Sequence, residues 1–448
     1  SRIRSNQSRS RISFLARLIP SHLRTQFFSV PPHEDLRRDM EELRTSHSID
    51  MIEFHPTTAC NMHCSYCYIP DTFRERAVTM DSDKVEQVVH KLSAYIKLSA
   101  YIEQNGGLKR IIFHGGEPLL AKDSFFPVID KYYRDVEFGI QTNGTRLTPE
   151  DAAFIKERNV HVSLSLDGHT AVLNDRLRRY VNGGGTYDDV VRSIELFRDY
   201  EWTGVIVTIT RYNVGHLAEI ARFLYDLGVR SALFNPVSPS NPAAIPLMPT
   251  AEELLHGYGD LLDTLIQLNA ATGARRLVVD NVESLILAVL TSNMRGLYCH
   301  MTPCGAGRFV YVVDPIGDVY PCSEFVEREE FRCGNVFSDP LAEVLEAPPC
   351  QRLRARRVEE IEGCKLCEYR MICGANCPAA VYSVSGHLGA RSPYCEFMKG
   401  SINLVFKTFV EHGVEIAFKL VSPRFEEVLR KSVPLLEIDD MHGSQLCS

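Results

Sequence analysis

The placement of the cysteines constrains this chain more than any other feature. Of fourteen cysteines in 448 residues, three lie between positions 60 and 67, none between 68 and 298, and ten between 299 and 395. Core thiols scatter and small disulfide scaffolds are far denser in cysteine, so this clustering points to metal sites. The first group reads Cys60-Asn-Met-His-Cys64-Ser-Tyr-Cys67, a CxxxCxxC spacing. Three thiolates on one loop can hold three irons of a 4Fe–4S cube and leave the fourth iron open. A zinc site is the rival reading, and it would draw its fourth ligand from His55 or His63.

The surroundings of that loop place it. From about residue 49 short apolar strands alternate with amphipathic helices, as in stacked βα units around a parallel sheet. Strands are expected at Asp50–His55, Arg110–His114, Phe138–Thr142, His161–Leu166, Gly204–Thr210 and Ala232–Asn235. One helix should open at Thr148, with Pro149 in its first turn and Asp151 three residues on; another should run from Asn213 to Gly228; Thr250 and Glu253 form a capping box for a third. This is α/β architecture, a partial (β/α)6 barrel with its functional loops at the C-terminal strand ends, where the CxxxCxxC loop falls. Beyond about 295 the period gives way to short strands, Gly turns and cysteines, which read as a second, metal-stapled domain. The expected division is a basic N-terminal extension over 1–48, the barrel over 49–290, an auxiliary-cluster domain over 291–398 and a C-terminal helical tail over 399–448.

Other features are bland. Residues 1–33 hold six Arg and no acidic residue, like a transit peptide, and read as a solvated basic extension. A duplication, KLSAYI at 91–96 and 97–102, is too short to mark a repeat fold. A net charge of −8 argues against nucleic-acid binding through a broad cationic surface. The longest apolar run, near Leu285 to Leu290, is far short of the roughly 20 residues a membrane helix needs, so no membrane role is expected.

With the loop at a barrel mouth, the chain resembles the radical S-adenosylmethionine (SAM) superfamily. The resemblance implies that Cys60, Cys64 and Cys67 hold a 4Fe–4S cluster whose open iron chelates SAM, and that one electron cleaves SAM to a 5′-deoxyadenosyl radical. Tyr66 would lie near the adenine. Gly115-Gly116-Glu117-Pro118 is similar to the family's GGEP loop, which receives the methionyl amine through backbone contacts. Gln141-Thr142-Asn143-Gly144 and Ser163-Leu164-Ser165-Leu166-Asp167-Gly168 resemble the family's third- and fourth-strand segments, with Thr142, Asn143 and Ser165 toward SAM. Arg178 would pair with the SAM carboxylate, to which a guanidinium fork is suited, although Arg176 and Arg179 compete for the role.

The later cysteines run Cys304, twelve residues, Gly317, four residues, Cys322, then Cys364-x2-Cys367-x5-Cys373-x3-Cys377 and finally Cys395. This is similar to the SPASM extension of radical SAM enzymes that modify peptides and proteins, which carries two auxiliary 4Fe–4S clusters. By that resemblance Cys304, Cys322 and Cys377 with Cys299 bind one, and Cys364, Cys367, Cys373 and Cys395 the other. If Cys299 does not bind, the first keeps an open iron. Four thiolates in a Cx2Cx5Cx3C run also suit a zinc ribbon. Cys333, Cys350 and Cys447 read as ordinary thiols. The run Arg352, Arg354, Arg356, Arg357 reads as a solvated helix face, because Glu359 and Glu360 follow it. His114 and His300 read as satisfied polar groups, and their closeness to motif residues keeps them as minor candidates for the site.

The resemblance implies a cytoplasmic oxidoreductase with three 4Fe–4S clusters and SAM, a peptide or protein substrate, and a low-potential electron donor such as ferredoxin or flavodoxin. Two activities compete: maturation of a peptide by thioether or other crosslinks, and formylglycine formation by an anaerobic sulfatase-maturating enzyme. A reading of another class, a non-catalytic electron-transfer scaffold, would need none of the SAM-binding residues. In sulfatase maturases the residue after the cysteine of the Gx4C segment is an Asp that acts as a base. Here it is Ser323, and Glu324, next along an extended segment, would face the opposite way. That difference favours the crosslinking activity.

Overall fold

The computed structural model describes residues 49–98, 110–270, 275–291 and 296–432. The expected basic extension, most of the second KLSAYI copy, residues 433–448 of the expected tail and Cys447 with them lie outside the described residues.

The six expected strands form, each within one residue at either end: β1 Met51–Phe54, β2 Arg110–Phe113, β3 Glu137–Thr142, β4 His161–Ser165, β5 Thr203–Ile209 and β6 Ser231–Pro236. They pair in parallel and in sequence order, and a two-residue strand, β7 Val278–Val279, continues the series beside β6. Side chains alternate between the two faces. Ile52, Phe54, Ile111, Phe113, Val162 and Leu164 are buried toward the helices, and Phe113 stacks on Phe125 of helix Lys122–Tyr132 with ring centroids 4.3 Å apart. The alternate set, Glu53, Ile112, Ser163 and Ser165, is only partly covered and lines the inner face.

The region expected as a second, metal-stapled domain adds its strands to the same sheet. Strand β8, Val310–Val313, pairs in parallel with the free side of β1, and β9 Asp318–Tyr320 and β10 Gly334–Asn335 follow antiparallel. One sheet results, in the order β10-β9-β8-β1-β2-β3-β4-β5-β6-β7. The physical reason is the edge of β1, whose N–H and C=O groups would otherwise face no partner. The short, wholly buried Val310–Val313 segment supplies one.

Both capping boxes form: Thr148 Oγ1 accepts from the Asp151 amide at 3.2 Å while Asp151 accepts from the Thr148 amide at 3.1 Å, and Thr250 and Glu253 do the same. Asn213 stands at the N-cap of the 3₁₀ turn Val214–His216 that leads into the expected helix, but its side chain makes no capping bond. Its side-chain amide donates to the carbonyls of Asp167 and Thr208, both at 2.9 Å, tying β4 to β5 before helix Leu217–Asp226 begins. Helix Cys395–His412 runs across the expected 398/399 boundary. That helix, opened by the last ligand-spaced cysteine, crosses the barrel helix Ala251–Leu268 so closely that a Cβ on Gly400 would lie 2.4 Å from Leu255.

The arginine run is a solvated face only in part: Arg352 is exposed, whereas Arg354 and Arg356 turn inward. Arg354 is buried and donates to the carbonyl of Gly307 at 2.7 Å and to the Tyr311 hydroxyl at 3.1 Å. Arg356 donates to the carbonyls of Leu388, Asn376 and Ala375 at 2.9, 3.2 and 3.1 Å. A guanidinium has five donors, and this loop-rich region has carbonyls that no helix or sheet satisfies. Among the described residues no helix is long and apolar enough to cross a membrane.

Candidate active site

The loops after β1, β2 and β3 meet at the mouth of the barrel and are fastened to one another. The amides of Gly116 and Glu117 donate to the carbonyls of Thr57 and Ala59 at 3.2 and 2.7 Å, which seats the Gly115–Pro118 loop on the approach to Cys60. A Cβ on Gly116 would lie 2.2 Å from the Ala59 oxygen, so only glycine allows this approach. The Glu117 carboxylate is buried and accepts from Thr142 Oγ1 at 2.6 Å, the Asn143 amide at 2.8 Å and the Leu119 amide at 3.0 Å. Asn143 in turn donates to Asn61 Oδ1, inside the cysteine loop, at 2.9 Å. Glu117 therefore braces the β2 and β3 loops, with Pro118 opening the 3₁₀ turn Pro118–Ala121 behind it.

Arg178 is the arginine that enters this site. Arg176 lies with its guanidinium 3.7 Å over the Tyr212 ring and Arg179 donates to the Asp175 carbonyl at 2.6 Å, whereas Arg178 is buried and donates to the Tyr66 hydroxyl at 2.6 Å. The Tyr66 hydroxyl donates to Asp167, which lies 3.8 Å from Arg178. Asp167 is fully buried and also accepts from the Thr208 amide at 2.8 Å; burial pushes its carboxyl up, against the pull of Arg178 and these hydrogen bonds. Ser165 ends β4 on the inner face.

The chemistry of these donors fits an anionic group. Burial pushes the Cys60 thiol up to about 12 and Cys64 to about 11, and raises Cys67, while the charges of Arg178 and Arg74 pull Cys64 and Cys67 back. Such thiols keep their protons until a metal displaces them. Nε of Arg178 and Nε of Arg74 are buried without a partner, and the charges of both arginines reach Cys64 and Cys67. All thirteen cysteines among the described residues are free.

Eight later thiols fall into two groups. Cys299, Cys304, Cys322 and Cys377 stand close enough to feel charge within the group, and desolvation raises all four thiols, Cys377 to about 12, although Cys299 alone among them is exposed at the surface. Cys364, Cys367, Cys373 and Cys395 form the second group, in which burial pushes Cys373 to about 11. Arg356 stands between them, its charge facing Cys304 and Cys377 on one side and Cys364 and Cys373 on the other. Cys333 and Cys350 belong to neither group; they are buried together with sulfurs 3.3 Å apart.

Several polar residues here carry no motif signal. Glu53 projects from β1, His55 and His114 directly follow β1 and β2, and Tyr68 comes from the cysteine loop, where its hydroxyl is 2.8 Å from His114 Nε2. Glu324 is not turned away from this group. Ser323–Phe325 is a 3₁₀ turn rather than extended chain, so the alternation expected of a strand does not apply, and the Glu324 carboxylate accepts from Ser240 and, at 2.7 Å, from Ser238. Strand periodicity turns Glu53 away from Ile52 and Phe54 to the other side of the sheet, but does not say whether that side meets solvent or the interior of a barrel.

Comparison with known proteins agrees with this geometry. The Radical SAM superfamily profile matches residues 54–224, and a profile described as an iron-sulfur cluster-binding domain, SPASM, matches 304–368. An uncharacterized protein of Archaeoglobus fulgidus is 36% identical over 81% of this chain and 82% of its own length. Mycofactocin maturase MftC of Mycobacterium tuberculosis is 29% identical over 76% of this chain and 81% of its own, and the serine-type anaerobic sulfatase-maturating enzyme of Klebsiella aerogenes 28% over 72% and 77%. In fold, the chain is similar to native anSMEcpe with bound AdoMet (TM-score 0.67, 21% identity, 81% of this chain and 99% of that one) and to Streptococcus suis SuiB bound to precursor peptide SuiA (0.62, 15%, 81% and 79%). The α/β sheet, the cysteine loop at its mouth and these relationships together make the chain an enzyme of the radical SAM superfamily with a SPASM iron–sulfur domain, using 4Fe–4S clusters and SAM.

Proposed function

We propose that this enzyme matures a peptide or protein by modifying a side chain, forming a thioether or other crosslink, with Cys60, Cys64 and Cys67 holding the SAM-binding cluster and the two groups of four thiols the auxiliary clusters. Bound at the mouth, SAM supplies on one-electron reduction the radical that removes a hydrogen atom from the substrate. The chain's own part is to orient and to exclude water. Backbone of the Gly115–Pro118 loop and the unfilled Nε of Arg178 are the groups offered to the amine and carboxylate of SAM, and Tyr66 is held rigid by Asp167 and Arg178. The low-potential donor of the electron is of the ferredoxin or flavodoxin class.

The observation that carries the crosslinking reading is Ser323, which puts a hydroxyl directly after Cys322 where sulfatase maturases have a carboxylate. That hydroxyl is already engaged, donating to Glu53 and lying 3.2 Å from His55 Nε2. Formylglycine formation remains the second reading, favoured by Glu324, which stands beside this position. Mass spectrometry after incubation with SAM and a low-potential reductant separates them. Crosslinking predicts a loss of two hydrogens within a cysteine-containing peptide encoded near the gene, and no aldehyde on a sulfatase-type Cys or Ser peptide. Efficient aldehyde formation would reverse the order.

A further inference from the structure

Glu53 is a carboxylate in an unusual place. It sits between Ile52 and Phe54 on β1, so strand alternation turns it from the helix layer to the inner face, where it is partly accessible. Among the described residues it forms no salt bridge, and a desolvated carboxylate without a cation is costly unless something uses it.

Its neighbours make a proton path. The Ser323 hydroxyl donates to Glu53, and its oxygen lies 3.2 Å from His55 Nε2. A hydroxyl carries one proton. While it is donated to the carboxylate, His55 holds its own proton on Nε2 and gives it to the serine oxygen, leaving Nδ1 bare, and that nitrogen is buried with no partner. Protonating Glu53 reverses the chain: the acid donates to Ser323, and Ser323 donates to a bare His55 Nε2.

The group also spans the two halves of the site. Tyr68, next to Cys67, interacts with Glu53, Glu324 and Ser323; Cys299 and Cys322 feel the charges of both carboxylates; His114 stands with its ring 5.6 Å from that of His55. Arg328 is the cation that faces Glu324. Burial first, and then the charge of Glu324, push the Glu53 carboxyl up, more than its hydrogen bonds from Ser323 pull it down. A carboxylate so raised is a stronger base than one in water.

We propose that Glu53 is the base that deprotonates the peptide substrate, accepting the proton of a substrate cysteine thiol brought between the Cys60–Cys67 loop and the Cys299–Cys322 group. The S–H bond breaks heterolytically, its electron pair stays on the sulfur, and the proton forms an O–H bond on Glu53; no electron moves to or from the carboxylate. This rests on the peptide-maturase reading above.

Infrared difference spectra of the reconstituted holoenzyme, titrated across neutral pH, read the carboxyl directly. The wild type should show a carboxylic-acid carbonyl band persisting above the usual carboxylate range, which Glu53→Gln removes and Glu53→Asp retains at a shifted position. With the peptide that the wild type modifies, Glu53→Gln should lower modified peptide per 5′-deoxyadenosine released by about 10²–10⁴-fold, with partial recovery in Glu53→Asp. Because Asp167, Glu117 and Glu324 are also raised by burial, the reading is the wild type minus Glu53→Gln difference: no carboxylic-acid band in that difference, or an unchanged product ratio, overturns the proposal. A wild type that modifies no peptide overturns the maturase reading instead, and the infrared band then decides whether Glu53 is the titrating acid.

Discussion

The barrel and the auxiliary region hold their cysteines by different means. Around Cys60–Cys67 the scaffold is a continuous apolar core in which Ile52, Phe54, Phe113, Phe125, Val162 and Leu164 are all buried, and the loops above it are fastened through Glu117 and Asn143. Around Cys364–Cys377 the apolar packing is divided: Tyr369 joins the main core with Cys367, Ile372 and Cys373 against it, Cys377 borders a second cluster that includes Ala379, and Val358, Ile361, Cys364 and Ala375 form a small third one. Packing so divided, with ligand-spaced thiols in every piece, offsets less of the entropy of ordering the segment than the continuous core of the barrel does. The barrel should therefore stand without metal, and the segment from 358 to 395 should not.

Removing iron puts that difference to its largest test. Anaerobic chelation, read by amide hydrogen exchange, should strip protection from residues 358–395 and leave β1 to β6 protected. Cys373→Ala should reproduce the local loss. Cys64→Ala should leave exchange in the barrel unchanged and abolish SAM cleavage, because it removes the iron site without removing any packing. Equal loss of protection in both halves would break the comparison.

Arg356 gives a smaller effect confined to the auxiliary side. Its guanidinium satisfies the carbonyls of Leu388, Asn376 and Ala375 between the two thiol groups. Arg356→Met should cost about 1–3 kcal/mol by leaving those acceptors unpaired, and Arg356→Lys less, since one ammonium replaces part of the fork. The measurement is local exchange in the iron-loaded protein together with retained iron. A loss that spreads into β1 to β6 would mean that the two regions are not separately held.

The same contrast explains what could be read from the sequence. Strand positions, the Thr148 and Thr250 capping boxes and the mouth location of the cysteine loop follow from local periodicity and cap chemistry, and they appear as expected. The pairing of β8 with β1 joins segments far apart in the chain, and nothing in four apolar residues names a parallel partner. Glu53 alternates with Ile52 and Phe54 as a solvent-facing residue would, and the pattern does not distinguish solvent from the interior of a barrel. Arg354 and Arg356 looked solvated because charge runs usually are; they are satisfied instead by carbonyls that only the folded loops bring to them.

The smallest prediction returns to the barrel. Thr148 caps helix Pro149–Glu157 reciprocally with Asp151, and Asp151 is also held by Lys122 at 2.8 Å. Thr148→Ala removes one acceptor for the Asp151 amide and should cost about 1 kcal/mol in denaturant unfolding. Lys122 keeps the Asp151 carboxylate near the Thr148 amide, so half of the box survives and the loss should not exceed that figure by much. Because this helix packs on the iron-independent core, the cost should be the same in the iron-free and the iron-loaded protein. A cost that grows when iron is bound would show that cluster assembly and barrel stability are coupled, and the barrel would then share the metal dependence assigned above to the auxiliary segment alone.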